Sequence, residues 1–297
     1  MGKAVSVIID EFIAAQDVNE LSAREYRSVI AHFVRWIVYN KLDFWLLRRA
    51  DILRYKADMI ASRLSTYTIS LYLTLVRKLF NYLEMEGLRD DNIAAGIKAP
   101  KKDNTFKKSY LSINQVCMLL ESIDQSKICG LRDYAIISLM VRTGVRRVEV
   151  CRMRVGDIDD GGGAIYVQRK GRVDKSNKIA LPPKAMEAIN NYLVARGDVD
   201  VCDPLFVGRG DESLTDYSIS RMVKRRLSSI GVVGKAYTCH SLRHTSAVLS
   251  LKAGTSIYDV QQMLGHTSIE TTRIYLRSLD AEKRLDNAAI RCLNDLF

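Results

Sequence analysis

Long apolar runs are missing from this 297-residue sequence. No stretch of 18 consecutive apolar residues occurs, which excludes a membrane-spanning helix, and no membrane partner is expected. Proline and glycine are sparse, at 4 and 17 residues, so collagen-like and low-complexity chains are excluded as well. The six cysteines, Cys117, Cys129, Cys151, Cys202, Cys239 and Cys292, stand singly and never form a CxxC pair. That removes zinc-finger and redox-motif readings and leaves buried, reduced thiols as the expectation. The opening MGKAVSVIIDEFIAAQ carries Asp10 and Glu11 and has no signal-peptide cleavage pattern, so a cytoplasmic location is expected. His240 and His244 form an HxxxH that lacks the glutamate of HExxH, and an arginine beside a dication is unfavourable. Neither a metal nor another cofactor is expected.

What the chain does have is apolar mass and positive charge. With 47% hydrophobic and 27% charged residues it can build sizeable cores, and its length suits two domains. Lys and Arg number 45 against 34 Asp and Glu, a formal charge of +11. Residues 1–108 hold 18 basic and 13 acidic side chains, net +5, and residues 109–297 hold 27 and 21, net +6. The excess is shared, so both halves suit one long polyanion.

Apolar periodicity predicts helices near 4–16, 22–40 and 48–62, with Ser22 and Glu25 fitting a capping box. A fourth helix follows, in which Ile69, Tyr72, Leu73, Val76, Leu79, Phe80 and Leu83 recur at three- and four-residue steps until Gly87. Residues 98–108, KAPKKDNTFKK, hold five lysines, one acid and a proline without apolar periodicity, the pattern of a linker. Such a run reads as a solvated tether or as a strap across phosphates. Between two basic domains, Lys101, Lys102, Lys107 and Lys108 are DNA-contacting candidates. Beyond it, helices are predicted at 112–123 and 131–143, with Gly144 as C-cap, and near Arg146. The segment GGGAIYVQRKGRVDKSNKIALPP changes period: two β-rich runs, 163–169 and 176–181, flank a polar turn and predict a hairpin. Further helices are predicted at 183–196, 215–230, 240–253, 256–264, 268–278 and 280–295. The expected fold class is mainly α, with an N-terminal helical bundle (1–97), the linker (98–108) and a mostly helical domain with a small antiparallel β-sheet (109–297).

His240-Ser-Leu-Arg243-His244 places His240 and Arg243 one turn apart on the same helix face, near an N-terminus where backbone N–H groups favour an anion. An arginine fork beside an imidazole suits a phosphate. Alone, the pair is a weak signal. Arg146 alone reads as an ion-pair partner of Glu149, Tyr275 beside Ile269, Ile274 and Leu276 reads as a core tyrosine, and His244 reads as structural. Their company decides.

TGVRRVEV, a basic hairpin, HSLRHT and LGHTSIETTRIY follow one another over about residues 109–280. In this order and spacing the chain resembles the tyrosine recombinase, or phage integrase, family, and its simple two-domain Xer-like type. The helical N-terminal part is similar in pattern to the family's core-binding domain. The resemblance implies that Arg146 and Arg243 clamp a phosphate, that His240 and His266 are the active-site histidines, that Tyr275 is the nucleophile and that Glu149 supports them. It makes Lys170 the general acid on the hairpin. Arg169 stands where the family commonly has glycine, and Lys175 in the same turn competes with Lys170.

The implied chemistry explains these residue types. Attack on a phosphodiester builds charge on a pentacoordinate phosphorus, so preorganised cations at its non-bridging oxygens are the largest catalytic term. A phenol with a pKa of about 10 needs a base or strong positive charge to attack at neutral pH, and His240 is the candidate base. The implied activity is site-specific DNA recombination through a 3′-phosphotyrosyl intermediate and a Holliday junction, for integration, excision, inversion or dimer resolution. Its implied partners are double-stranded recombination sites, a second copy at each site, a tetramer in the synaptic complex and accessory DNA-bending proteins, with location at the nucleoid. The apolar positions Ala288, Ala289, Ile290, Leu293, Leu296 and Phe297 are expected on a C-terminal helix that docks on a neighbouring subunit or on its own domain. With about 108 residues before the catalytic domain, no additional arm-binding domain is expected. Alternatives are a type IB topoisomerase and a catalytically silent DNA-binding regulator.

The shared basic charge makes duplex binding salt dependent. Log K, read from titrations of labelled duplex at several salt concentrations, is expected to fall by roughly 0.9 per neutralised phosphate for each decade of salt. A flat response would remove DNA as the main ligand.

Overall fold

A computed structural model describes residues 4–101, 109–159, 161–169, 172 and 174–285. The described chain divides into two compact units, Met1–Thr105 and Phe106–Phe297. It is mainly α, with twelve α-helices and one two-stranded antiparallel sheet among the described residues.

The first unit consists of α1 (Val5–Ala14), α2 (Glu20–Tyr39), α3 (Arg49–Ala61) and α4 (Thr66–Met85). Each helix turns an apolar stripe inward. Ile8 and Phe12 of α1, Phe33 of α2, Tyr55 of α3, and Leu79 and Phe80 of α4 are all fully buried. Phe33 is the centre of an aromatic cluster, 4.9 Å from the Tyr55 ring and 6.3 Å from Phe80. Helix α2 begins at Asn19, whose side chain accepts from the Ser22 backbone N–H, so the capping box expected at Ser22 and Glu25 is not used. Asn19 starts the helix three residues earlier because its carbonyl oxygen already satisfies an exposed first-turn N–H.

The second unit is organised around α6 (Ile128–Thr143), whose Ala135, Ile136, Ile137, Leu139 and Met140 are all buried. It packs against α8 (Pro183–Arg196) and α10 (Cys239–Lys252), and more lightly against α5 (Ile113–Glu121) and α9 (Asp216–Ser229). Near its start, the buried Asp133 carboxylate binds Arg132 of the same helix and Arg226 of α9 at 2.9 and 2.7 Å, which compensates the charge's burial. At its other end Gly144 adopts φ +65° and stops the helix. The short α7 (Arg147–Cys151) follows at once. Strands β1 (Ala164–Val167) and β2 (Asn177–Ala180) pair from Ala164↔Ala180 to Val167↔Asn177, and Ile165 and Ile179 face the core. Helices α11 (Ile257–Leu264) and α12 (Ile269–Leu285) complete the unit, both packed on α10.

Two expectations change here. The separate helices predicted at 268–278 and 280–295 are one helix as far as Leu285. No glycine or proline interrupts this stretch, and Leu279 packs in the same cluster as Tyr275, one turn earlier. The apolar positions 288–297 lie outside the described residues. Among the described residues the five cysteines are free thiols, but only Cys239 is buried: Cys117, Cys129 and Cys202 are exposed and Cys151 is half-buried. The first three fall outside the apolar faces that form the cores, while Cys292 lies outside the described residues.

Both tryptophans, Trp36 and Trp45, belong to the first unit, so their fluorescence follows its unfolding alone. Phe80→Ala removes a fully buried ring that meets Phe33 and Phe44 and is expected to cost about 3–5 kcal/mol in urea unfolding followed at tryptophan. A loss below about 1 kcal/mol would show that this cluster does not hold the bundle.

Candidate active site

Four chain segments converge on Arg243. Its position on α10 follows from Thr238, which caps the helix by accepting from the His240 N–H. One turn in, Arg243 points into the unit and is 2% exposed. Its guanidinium donates to the Gly144 carbonyl at the end of α6 and to the Leu264 carbonyl at the end of α11, the latter at 2.8 Å. It also donates to His266 Nε2 at 2.8 Å and hydrogen-bonds the Tyr275 phenol. Burial lowers its pKa to about 10, which leaves it charged at neutral pH.

The two glycines make this convergence possible. A Cβ on Gly144 would lie 2.5 Å from the Leu264 side chain. Gly265, at φ +62°, ends α11 and turns the chain so that His266 follows directly. Arginine has no acceptor, so His266 Nε2 must accept from Arg243, and the ring proton sits on Nδ1, which donates to Thr272 Oγ1 at 2.9 Å. Burial and then the positive charges of Arg243, Arg146, His240 and Arg169 push the His266 pKa down to about 4. The imidazole is neutral at pH 7.

Tyr275 lies on α12 and is 3% exposed. Its ring stacks on His266 with centroids 6.2 Å apart and lies 5.1 Å from His244, which is itself edge-on to Tyr110. Burial raises the phenol's pKa, while Arg243 and then Arg146 oppose the rise. Arg146 precedes α7. Its backbone N–H and its guanidinium donate to the two oxygens of Glu149, at 2.8 and 2.9 Å, and Glu149 is wholly buried. The site thus holds Arg146, Arg169 and Arg243 against one carboxylate, an excess of positive charge suited to an anion.

Of the residues singled out in the sequence, Arg146, Glu149, Arg243, His266 and Tyr275 come together. His240 is exposed at the start of α10, one turn from Arg243, and its charge is felt at His266. Lys170 lies outside the described residues, as do Lys102, Lys107 and Lys108; Lys101 is described and exposed. Lys175 pairs with Asp157 at 2.6 Å. Arg169 was legible only as an unusual residue in a basic turn, yet it is buried in the site. Thr272 and Tyr110 carried no signal of their own. No group of three His, Cys, Asp or Glu side chains among the described residues is arranged to hold a metal, and no described helix is long and apolar enough to cross a membrane.

The same two segments match family models: the phage integrase family over residues 109–282 and the phage integrase N-terminal SAM-like domain over residues 9–87. The chain belongs to the phage integrase family, the tyrosine recombinases. It is 31% identical over 274 residues to tyrosine recombinase XerC of Herpetosiphon aurantiacus, covering 90% of this chain and 88% of the relative. It is 34% identical over 230 residues to tyrosine recombinase XerA of Pyrococcus furiosus, covering 76% and 75%. The fold is shared with the XerH site-specific recombinase bound to palindromic difH substrate, with a TM-score of 0.77 and 22% identity over 97% of this chain and 84% of that one. This recombinase therefore has the family's two-domain, Xer-like architecture.

The His266 environment is directly measurable. Followed by NMR at its Cε1–H, His266 is expected to stay neutral from pH 8 to pH 6 and to protonate only as the pH falls toward about 4. A midpoint near the ordinary 6.5 would show that the burial of the ring and its Arg243 contact do not persist in solution.

Proposed function

We propose that this recombinase cleaves and rejoins duplex DNA at specific sites through a covalent link between Tyr275 and a 3′-phosphate, with Arg146, Arg243, His240, His266 and Lys170 as its catalytic residues. The observation that carries the reading is the Arg243 guanidinium, which holds both the Tyr275 phenol and His266 Nε2 in one buried cluster. A scissile phosphate seated between Arg146 and Arg243 would have its non-bridging oxygens faced by two guanidiniums, which stabilise the charge that develops on attack.

The Tyr275 oxygen attacks phosphorus and gives its proton to a base, for which His240, one turn before Arg243, is the candidate. The bond from phosphorus to the 5′ oxygen breaks, and that oxygen takes a proton from Lys170. The ion pair of Lys175 with Asp157 favours Lys170 over Lys175 in this role. His266 is neutral and held by Thr272, so it orients the clamp without adding charge. The phosphotyrosyl link conserves the energy of the broken bond, and attack by a different 5′-hydroxyl completes strand exchange without ATP.

Residues 1–97 act as a core-binding domain, 98–108 as a basic linker with exposed Lys101 among its phosphate contacts, and 109–297 as the catalytic domain. A dimer on each site, a tetramer in the synaptic complex and DNA-bending accessory proteins complete the assembly, which works at the nucleoid in the cytoplasm. The relatives' names favour recombination over DNA relaxation or a silent regulator.

Tyr275→Phe removes one oxygen and keeps the buried ring. The variant is expected to fold, to bind duplex within about twofold of the unmodified chain and to form no covalent adduct with a nicked suicide duplex on denaturing electrophoresis. In the unmodified chain the adduct should map to Tyr275. An adduct that persists in Tyr275→Phe, or that maps to the exposed Tyr258, would overturn the assignment.

A further inference from the structure

Arg169 follows β1 and is 8% exposed. Its guanidinium touches partners of both clamp arginines. It donates to the Leu264 carbonyl at 3.2 Å, the same oxygen that accepts from Arg243 at 2.8 Å. It also forms an ion pair with Glu149 at 3.5 Å, through the carboxylate that Arg146 binds at 2.9 Å. It lies against Gly265 so closely that a Cβ there would fall 2.5 Å from the guanidinium carbon. Gly265 is thus needed for the space Arg169 fills as well as for its positive φ.

Folding stability does not account for this arginine. Burial disfavours its charge, and among the described residues its Nε is buried without a hydrogen-bond partner, a destabilising arrangement. Its effect on the site's charge does offer a reason. Arg146 and Glu149 alone form a neutral pair, which would blunt Arg146's pull on a phosphate. A second guanidinium on the same carboxylate restores one net positive charge to the group.

We propose that Arg169 is a positioning residue for recombination: acting through Glu149 and the Leu264 carbonyl, it fixes Arg146 and Arg243 relative to each other and ties the hairpin to the turn that carries His266. This rests on the roles given above to Arg146, Arg243 and Tyr275. Arg169 itself reaches the reaction only through these neighbours. It cross-links a strand end, the start of α7 and the end of α11, three segments that no backbone hydrogen bond joins at this point among the described residues.

The test uses the full chain and a nicked suicide duplex, with single-turnover adduct formation, duplex affinity and thermal unfolding measured for each variant. Arg169→Gln is expected to bind duplex within about twofold and to form adduct about 10–100-fold more slowly, as for a site loosened by about an ångström. Arg169→Lys keeps the charge without the fork and is expected to fall between Arg169→Gln and the unmodified chain. In a Glu149→Gln background, Arg169→Gln should slow the reaction by clearly less than it does in the unmodified chain, because the route through the carboxylate is already lost and only the Leu264 contact remains. A purely structural role would lower the unfolding temperature and leave the two substitutions independent. Should Arg169→Gln not fold, Arg169→Lys decides, and adduct formation at the unmodified rate in that variant overturns the inference. Additive effects of Arg169→Gln and Glu149→Gln, or the unmodified rate in Arg169→Gln, also overturn it alone. Absence of any Tyr275 adduct in the unmodified chain overturns the assigned roles and this inference with them.

Discussion

A buried, charged arginine is the constraint on which the catalytic unit is built. Removing the Arg243 guanidinium from water costs several kcal/mol by general estimates, and the protein offsets this by surrounding it with fixed acceptors. These come from the end of α6, the end of α11, the His266 ring and the Tyr275 phenol. Satisfying one side chain therefore fixes two helix ends, the turn at His266 and the body of α12 at once. The helix terminations at Gly144 and Gly265 are part of the same solution, since each frees or presents a carbonyl where Arg243 needs one.

That arrangement also sets the protonation states of its neighbours. Burial, and then a positive charge at 2.8 Å, keep His266 neutral; the Arg243 contact also fixes its tautomer and counters the effect of burial on the Tyr275 phenol. Burial and charge act in the same direction on the histidine and in opposite directions on the tyrosine. Tyr275 is thus packed like a core residue while its phenol remains within reach of the group that can stabilise its ionised form. The buried Glu149 limits the mutual repulsion of the guanidiniums while leaving the cluster positive.

Much of this was legible from local patterns. Helix periodicity located the four helices of the first unit, and the change to alternation located the hairpin, because both repeats arise within a few residues. The one-turn spacing of His240 and Arg243 placed both near the start of α10, although Arg243 turns inward and His240 outward. Errors fell where local signals compete. Asn19 and Ser22 are both good caps, and the hydrogen bond from the Ser22 N–H to the Asn19 side chain shows which one begins the helix. The stretch 278–280 has no breaker, so the packed face of α12 runs straight through it.

By itself the sequence determined the elements, the order of the motifs and the residue types able to bind a phosphate, since these depend on spacing along the chain. Only the tertiary structure decided which of them share partners. Tyr275 reads as a core residue and is one by burial, yet its phenol belongs to the Arg243 cluster, a fact that its own helix does not encode. Arg169 reads as a basic residue where the family commonly has glycine, and becomes part of the site only because Leu264, 95 residues away, presents the carbonyl it shares with Arg243. Contacts of that kind are set by how α6, α10 and α11 pack, and helical or strand periodicity carries no information about them.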